Sequence, residues 1–277
     1  MRSINRQASR QVGRIVSTRK VGAYTHIVIA VAEIGIHSKP GNFVAISVGG
    51  SSSGLLLHRV FAVYRSRPDA NHGSVIELIV ARSGQGSGWL IEQVEGTTLH
   101  VTGPLGSAFP LPADPLNVVL VGGGYGAAPL FDLADDLKGR GCRVDAVIGA
   151  STSQRIFAPL EGKRTVNSVT VTTEDGSAGV HGRVTDVLPD LIERQKIDLI
   201  YSCGPMGMLS AVDRIARQFG VSHQVSVEEA MACGIGVCMT CVLPMIVDGE
   251  KRLVRSCIEG PVLDGETVDW ESIEAAR

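Results

Sequence analysis

Four cysteines toward the C-terminal end, Cys233, Cys238, Cys241 and Cys257, stand in the spacing C-x4-C-x2-C-x15-C. That is the ligand spacing of a plant-type [2Fe-2S] cluster, a carrier of single electrons. A zinc site of four cysteines usually offers two C-x2-C knuckles, and here only Cys238 and Cys241 form one. The glycines in Cys233-Gly234-Ile235-Gly236-Val237-Cys238 suit a loop whose backbone N–H groups turn in toward sulfur. Structural disulfides need an oxidising compartment, which nothing else in the chain suggests. The spacing favours iron–sulfur first and zinc second.

A second set of residues suits phosphate. Gly122-x-Gly124-x-x-Ala127 follows an apolar run at 117–121 and opens a helix-like stretch. Gly122, Gly123, Gly124 and Gly126 there bring backbone N–H groups and a helix N-terminus within reach of a pyrophosphate. Alone, such a motif also occurs in turns that bind nothing. Farther on, Cys203-Gly204-Pro205-Met206 repeats the strand-to-helix geometry, with Gly204 for the turn and Pro205 at the helix start. Both loops fall at the carboxyl ends of expected parallel strands, where doubly wound sheets take ligands. At the end of the second strand, residues 150–155 hold no acidic side chain to favour NAD, and Arg155 is equally a surface charge. NAD and NADP both stay open on the residues alone.

The elements that must position these groups fall into three textures. Short β-rich runs at 13–18, 25–32, 42–48, 58–65, 75–81 and 97–102 predict a six-stranded antiparallel barrel, interrupted by a helix-like stretch at 87–93. From about 113 the pattern changes to alternating strands (117–121, 143–148, 169–172, 198–201, 224–227) and helices (127–138, 183–194, 205–219). That order predicts a doubly wound parallel α/β domain. After 228 the chain is short, cysteine-bearing and poor in periodicity, as expected of a module held together by its metal centre. The expected division is a barrel over 1–112, a nucleotide domain over 113–227 and a cluster module over 228–277.

Composition sets the frame. A chain of 277 residues has room for these parts, and a net charge of −2 argues against a nucleic-acid surface. No run of eighteen apolar residues is present, and residues 1–20 scatter Arg and Lys among polar residues without an apolar stretch behind them. Six cysteines, four of them in one cluster, suit a reducing compartment. The chain reads as a soluble cytoplasmic protein that contacts neither membrane nor nucleic acid. Cys142, at a strand start, reads as buried packing.

The succession of Arg59-Val60-Phe61-Ala62, GGGxG, CGPM and the cysteine quartet closely resembles the electron-transfer subunits of type B dihydroorotate dehydrogenases, within the ferredoxin reductase-like flavoproteins. The resemblance covers nearly the whole chain. It implies FAD between barrel and nucleotide domain, held by Arg59, Val60, Phe61 and Ala62, by Ile79, Val80 and Ala81, and by Gly86 and Ser87. Arg59 suits a bidentate phosphate contact, although on the residues alone it is also a solvated strand charge. The resemblance places Cys203 beside the nicotinamide, whereas on the residues alone it is equally a small core side chain. It further implies NAD as the nicotinamide and an FMN-containing catalytic partner in a heterotetramer. Two positions depart from the family, which usually reads Arg-Pro-x-Ser where Val60 and Ala62 stand here. Without that hydroxyl, only a backbone N–H is left to serve flavin N5. Two other functions stay open: a reductase module for another complex, of transhydrogenase or sulfide dehydrogenase type, and a cluster-based redox sensor.

Overall fold

The computed structural model describes residues 8–50, 53–157 and 165–275. Seven antiparallel strands form the first sheet: β1 (Ser9–Val21), β2 (Tyr24–Ala30), β3 (Phe43–Ile46), β4 (Arg59–Ala62), β5 (Arg65–Asp69), β6 (Gly73–Val80) and β7 (Thr98–Leu105). Their order is β4-β3-β7-β1-β2-β6-β5, and alternate inward residues such as Ile15, Ile27, Ile29, Val44, Ile76, Leu78 and Val101 build one barrel core. The run expected as one strand at 58–65 is two. Phe43 pairs with Ala62 while Arg65 pairs with Glu77, so the chain changes partner across the buried Val63 and Tyr64. Helix α1 (Ala32–His37) was not expected, because six residues are too few to show a helical period. Helix α2 (Gln85–Ile91) lies at the interruption near 87–93.

The second sheet carries β8 (Asn117–Gly123), α3 (Ala128–Gly139), β9 (Arg143–Ala150), β10 (Ser168–Thr173), β11 (Val180–His181), α4 (Val184–Gln195), β12 (Leu199–Cys203), α5 (Met206–Phe219) and β13 (Ser222–Ser226). Strand order β11-β10-β9-β8-β12-β13 is parallel throughout. Val118 and Leu120 face the α3 side with Leu130 and Leu133, while Val119 and Val121 face α4 and α5 with Leu188 and Val212. Burial on both faces explains why β8 reads as a continuous apolar run. The chain leaves β8 toward β9 and later returns to β12 on its other side, which puts the sheet's switch point between these two strands.

The C-terminal segment corrects two expectations. Strands β14 (Val242–Val247) and β15 (Glu250–Arg255) form a hairpin whose turn, Asp248-Gly249, takes φ values of 55° and 79°. An Asp-Gly pair between two strands is the ordinary two-residue hairpin signal, so this stretch is more regular than expected. Strand β16 (Val262–Asp264) then pairs antiparallel with β13 and makes the nucleotide sheet mixed. Leu243, Met245 and Leu263, with Trp270 and Ile273 of α6 (Trp270–Ala275), pack on Met206, Leu209 and Val225. The cysteines are therefore not all that holds this segment. Among the described residues no helix is long and apolar enough to cross a membrane.

Candidate functional site

The cysteine loop is bent by three left-handed residues, Gly234 (φ 70°), Gly236 (φ 80°) and Met239 (φ 61°). This curl aims the N–H groups of Ile235, Val237 and Cys238 at Cys233 Sγ, at 3.5, 3.4 and 3.4 Å. Donors of this kind stabilise a ligating thiolate. Arg255 braces the loop by donating to the Gly236 carbonyl at 3.2 Å and to Glu259 at 2.8 Å. The cysteines meet as two pairs: Cys238 touches Cys233, and Cys257 touches Cys241. Hydrogen bonds from Thr240, then the contact with Cys233, lower the exposed Cys238 thiol to about 6. Burial first, then Cys241, pushes Cys257 up to about 12. Among the described residues no three His, Cys, Asp or Glu converge as a single metal ion requires. Paired thiols with inward N–H donors fit a two-iron cluster, which shares four cysteines between two irons.

A cavity of about 270 Å³ opens between the barrel and the nucleotide sheet. Val60, Phe61 and Ala62 of β4, with Ile79, Val80 and Ala81 at the end of β6, form one wall, and Gly126, Cys203 and Gly204 form the other. Phe43 and Val60 also back onto the cysteine loop, since a Cβ on Gly234 would lie 3.4 Å from each. One layer of side chains thus separates this cavity from the cysteines. Arg59, Gly86 and Ser87 are not among the residues that line it. Gly86 accommodates Arg59, because a Cβ there would stand 2.6 Å from Arg59 Nε. Arg59 Nη1 donates to the Leu57 and His58 carbonyls at 2.8 and 3.2 Å. Ser87 Oγ accepts from the N–H groups of Ser83 and Gly84 at 2.9 and 3.1 Å, so its hydroxyl is tied to its own turn rather than directed at a phosphate.

A larger cavity, about 760 Å³, lies along the carboxyl edge of the parallel strands. Gly123 and Gly124 of one loop motif and Pro205 of the other line it. Gly122 and Gly126 act through close approach instead. A Cβ on Gly122 would lie 2.6 Å from Ala127 Cβ, and one on Gly126 would lie 2.8 Å from the Cys203 carbonyl oxygen and from Gly204 Cα. The Met206 side chain is buried among Leu209 and Val225 and contributes packing. Burial pushes the Cys203 thiol up to about 12 against a hydrogen bond with Ser226, so it stands in the wall as a neutral thiol and not as a nucleophile. Arg155 lines the larger cavity with Ser151, Glu174 and Arg183, and its carbonyl accepts from Tyr24 Oη at 2.8 Å. Glu174, beyond the end of β10, is an acidic group that sequence reading missed. Tyr125 and Glu228 were missed as well, and both cavities touch them. An aromatic residue set within a run of glycines was the available signal for Tyr125.

Fold and site together define a ferredoxin reductase-like protein for flavin and nicotinamide, with an iron–sulfur module at its C-terminal end. Residues 228–269 match the family model described as the iron-sulfur cluster binding domain of dihydroorotate dehydrogenase B. The dihydroorotate dehydrogenase B (NAD(+)) electron transfer subunit of Geobacillus thermodenitrificans is 36% identical over 260 residues, covering 92% of this chain and 96% of that one. Its counterpart in Desulforamulus reducens is 32% identical over 232 residues, 84% and 87% of the two chains. The chain belongs to the family of dihydroorotate dehydrogenase B electron transfer subunits. Among solved structures, an NADH-dependent reduced ferredoxin-NADP oxidoreductase, studied for flavin-based electron bifurcation, superposes with a TM-score of 0.83 at 30% identity, over 96% of this chain and 92% of that one. The FAD/NAD-binding domain of a Vibrio cholerae nitric oxide dioxygenase, at TM-score 0.64 and 22% identity, shares the fold.

Proposed function

We propose that this chain carries electrons between NAD and an FMN-containing catalytic partner that oxidises dihydroorotate, within a heterotetramer serving pyrimidine biosynthesis. The observation that carries this reading is the order of sites. The nucleotide loops form one wall of the smaller cavity, and Val60 and Phe43 form a thin layer between that cavity and the cysteine loop. When bound, the flavin exchanges a hydride with the nicotinamide and passes electrons singly to the cluster.

The chain's own residues hold and enclose these groups. Cys233, Cys238, Cys241 and Cys257 would hold the two irons of the cluster. Val60, Phe61, Ala62, Ile79, Val80 and Ala81 would seat the flavin ring and exclude water from it, while Arg59 and the Gly86 turn would serve its phosphates. Gly122, Gly123, Gly124 and Gly126, with Gly204 and Pro205, shape the nicotinamide nucleotide site, and Cys203 walls its reactive end. Glu174, which lines the larger cavity as Arg155 does, supports NAD while leaving NADP a candidate. The division at 112 is supported by the two separate sheets, and that at 227 by a family match that begins at 228, with β16 joining the nucleotide sheet across it. A cytoplasmic location is supported by the cysteine quartet, whose thiolates suit a reducing compartment.

The test is co-expression with the FMN-containing partner, followed by anaerobic assay of dihydroorotate against NAD and NADP. Dihydroorotate-dependent NAD reduction by the complex, lost without this chain, is the expected result. A second reading has its own observation, the 30% identical bifurcating oxidoreductase structure. Reduction of NADP by reduced ferredoxin, with no response to dihydroorotate, would favour it.

A further inference from the structure

The two cavities meet at a boundary of four residues, Ala81, Ser83, Tyr125 and Glu228, which line both. Tyr125 and Glu228 are joined across it: the Tyr125 hydroxyl donates to a Glu228 carboxylate oxygen. The partners come from opposite sides. Tyr125 belongs to the glycine loop after β8, and Glu228 to the segment that leads from β13 into the cysteine loop. The Tyr125 ring packs edge-on against Tyr24, with centroids 5.8 Å apart, yet the residue is 40% exposed and has room to move. Burial, then the bond to Glu228, raises the Tyr125 pKa, so the phenol keeps the proton it donates.

Hydride transfer needs its two reacting atoms about 3–3.5 Å apart. A nicotinamide ring lying in the larger cavity must therefore cross this boundary to meet a flavin ring lying in the smaller one. We propose that Tyr125, latched by Glu228, is a gate that the nicotinamide ring displaces before hydride transfer. This inference rests on the assignment of the larger cavity to the nicotinamide nucleotide and the smaller to the flavin. With the latch closed, only the fraction of molecules with Tyr125 swung aside is competent, and the apparent affinity for the dinucleotide falls by that fraction. Tyr125 positions the ring and takes no part in the chemistry.

The experiment is anaerobic stopped-flow reduction of the FAD- and cluster-loaded protein by NADH at varied concentration, comparing the parent with Tyr125→Phe, Glu228→Gln and the double variant. Tyr125→Phe removes the latch and should lower the NADH concentration for half-maximal flavin reduction about tenfold, or about 1.4 kcal/mol. Glu228→Gln, which leaves a neutral acceptor, should lower it about threefold. The double variant should match Tyr125→Phe alone, as two halves of one latch do, and the lowered half-saturating concentration is the change that a merely structural bond would not produce. FAD content of each variant reports folding, and Glu228→Gln carries the test if Tyr125→Phe loses FAD. An unchanged or raised half-saturating concentration overturns the gate and leaves the cavity assignment standing. A parent flavin that dithionite reduces and NADH does not overturns both.

Discussion

Glu77→Gln probes the charge network that locks the barrel. Glu77 is 6% exposed on β6, with Oε2 2.7 Å from His26 Nε2 and Oε1 accepting from Arg67 Nε at 2.7 Å. Arg19 Nε donates to His26 Nδ1 at 3.0 Å, which leaves Nε2–H to face Glu77. Burial pushes this carboxyl up, but hydrogen bonds from His26 and Arg67 outweigh it and hold it at about 2, against an ordinary 4.5. At about 1.36 kcal/mol per pH unit, that depression corresponds to about 3 kcal/mol of folding free energy. The folded value lies below the unfolded one, so the contribution is complete above pH 4.5 and is lost as pH falls toward 2. Gln keeps the shape and removes the charge. Urea unfolding at pH 7 should show the variant about 2–3 kcal/mol less stable than the parent, with the gap closing as the pH is lowered through the same window. Equal stability at pH 7, or a gap that persists undiminished in acid, would refute this reasoning.

Three further substitutions address the site. Gly126→Ala places a Cβ 2.8 Å from backbone atoms of Cys203 and Gly204, which cannot yield as a side chain would. It should cost about 1–3 kcal/mol of stability and raise the NADH concentration needed for flavin reduction; a variant with parental values would contradict the contact. Cys241→Ala should abolish iron and sulfide while FAD stays bound, and full iron content would sink the ligand assignment. His223 joins Ser202 (2.6 Å) to Asp213 (3.1 Å), and Asp213 reaches Arg217 (2.7 Å), which donates to the Glu266 carbonyl (2.8 Å). The order resembles a hydrolytic triad, but Ser202 and His223 are 0% exposed, so no substrate reaches them and the chain of bonds ties the end of β12, before the Cys203-Gly204 turn, to the segment after β16. His223→Leu should cost about 3–5 kcal/mol in thermal or urea unfolding, and a loss under about 1 kcal/mol would argue against the tie.

What the sequence made legible is chemistry written locally. The C-x4-C-x2-C loop and the glycine turn after β8 each place their donors within one short segment, so spacing alone defines them. The misses come from contacts made at a distance. Tyr125 and Glu228 meet across 103 positions, and the touch of Val60 on Gly234 appears only when barrel and cysteine loop fold together. The division of 58–65 into two strands was hidden because Val63 and Tyr64 are as apolar as their neighbours. Two side chains have local roles that the sequence pattern already suggests. Met206 begins a buried helical stripe with Leu209, Asp213 and Ala216, the pattern of a core face. Ser87 sits where a serine hydroxyl commonly closes its own turn.

The order of electron carriers is tested most directly by anaerobic titration of the isolated, FAD- and cluster-loaded protein with NADH, following flavin absorbance and the paramagnetic resonance of the reduced cluster together. The expected result is bleaching of the flavin and appearance of the reduced-cluster signal from NADH alone, with the cluster signal lost and the bleaching retained in Cys241→Ala. A flavin that bleaches while the intact cluster stays oxidised, although dithionite reduces it, would contradict the path from nicotinamide through flavin to cysteine loop.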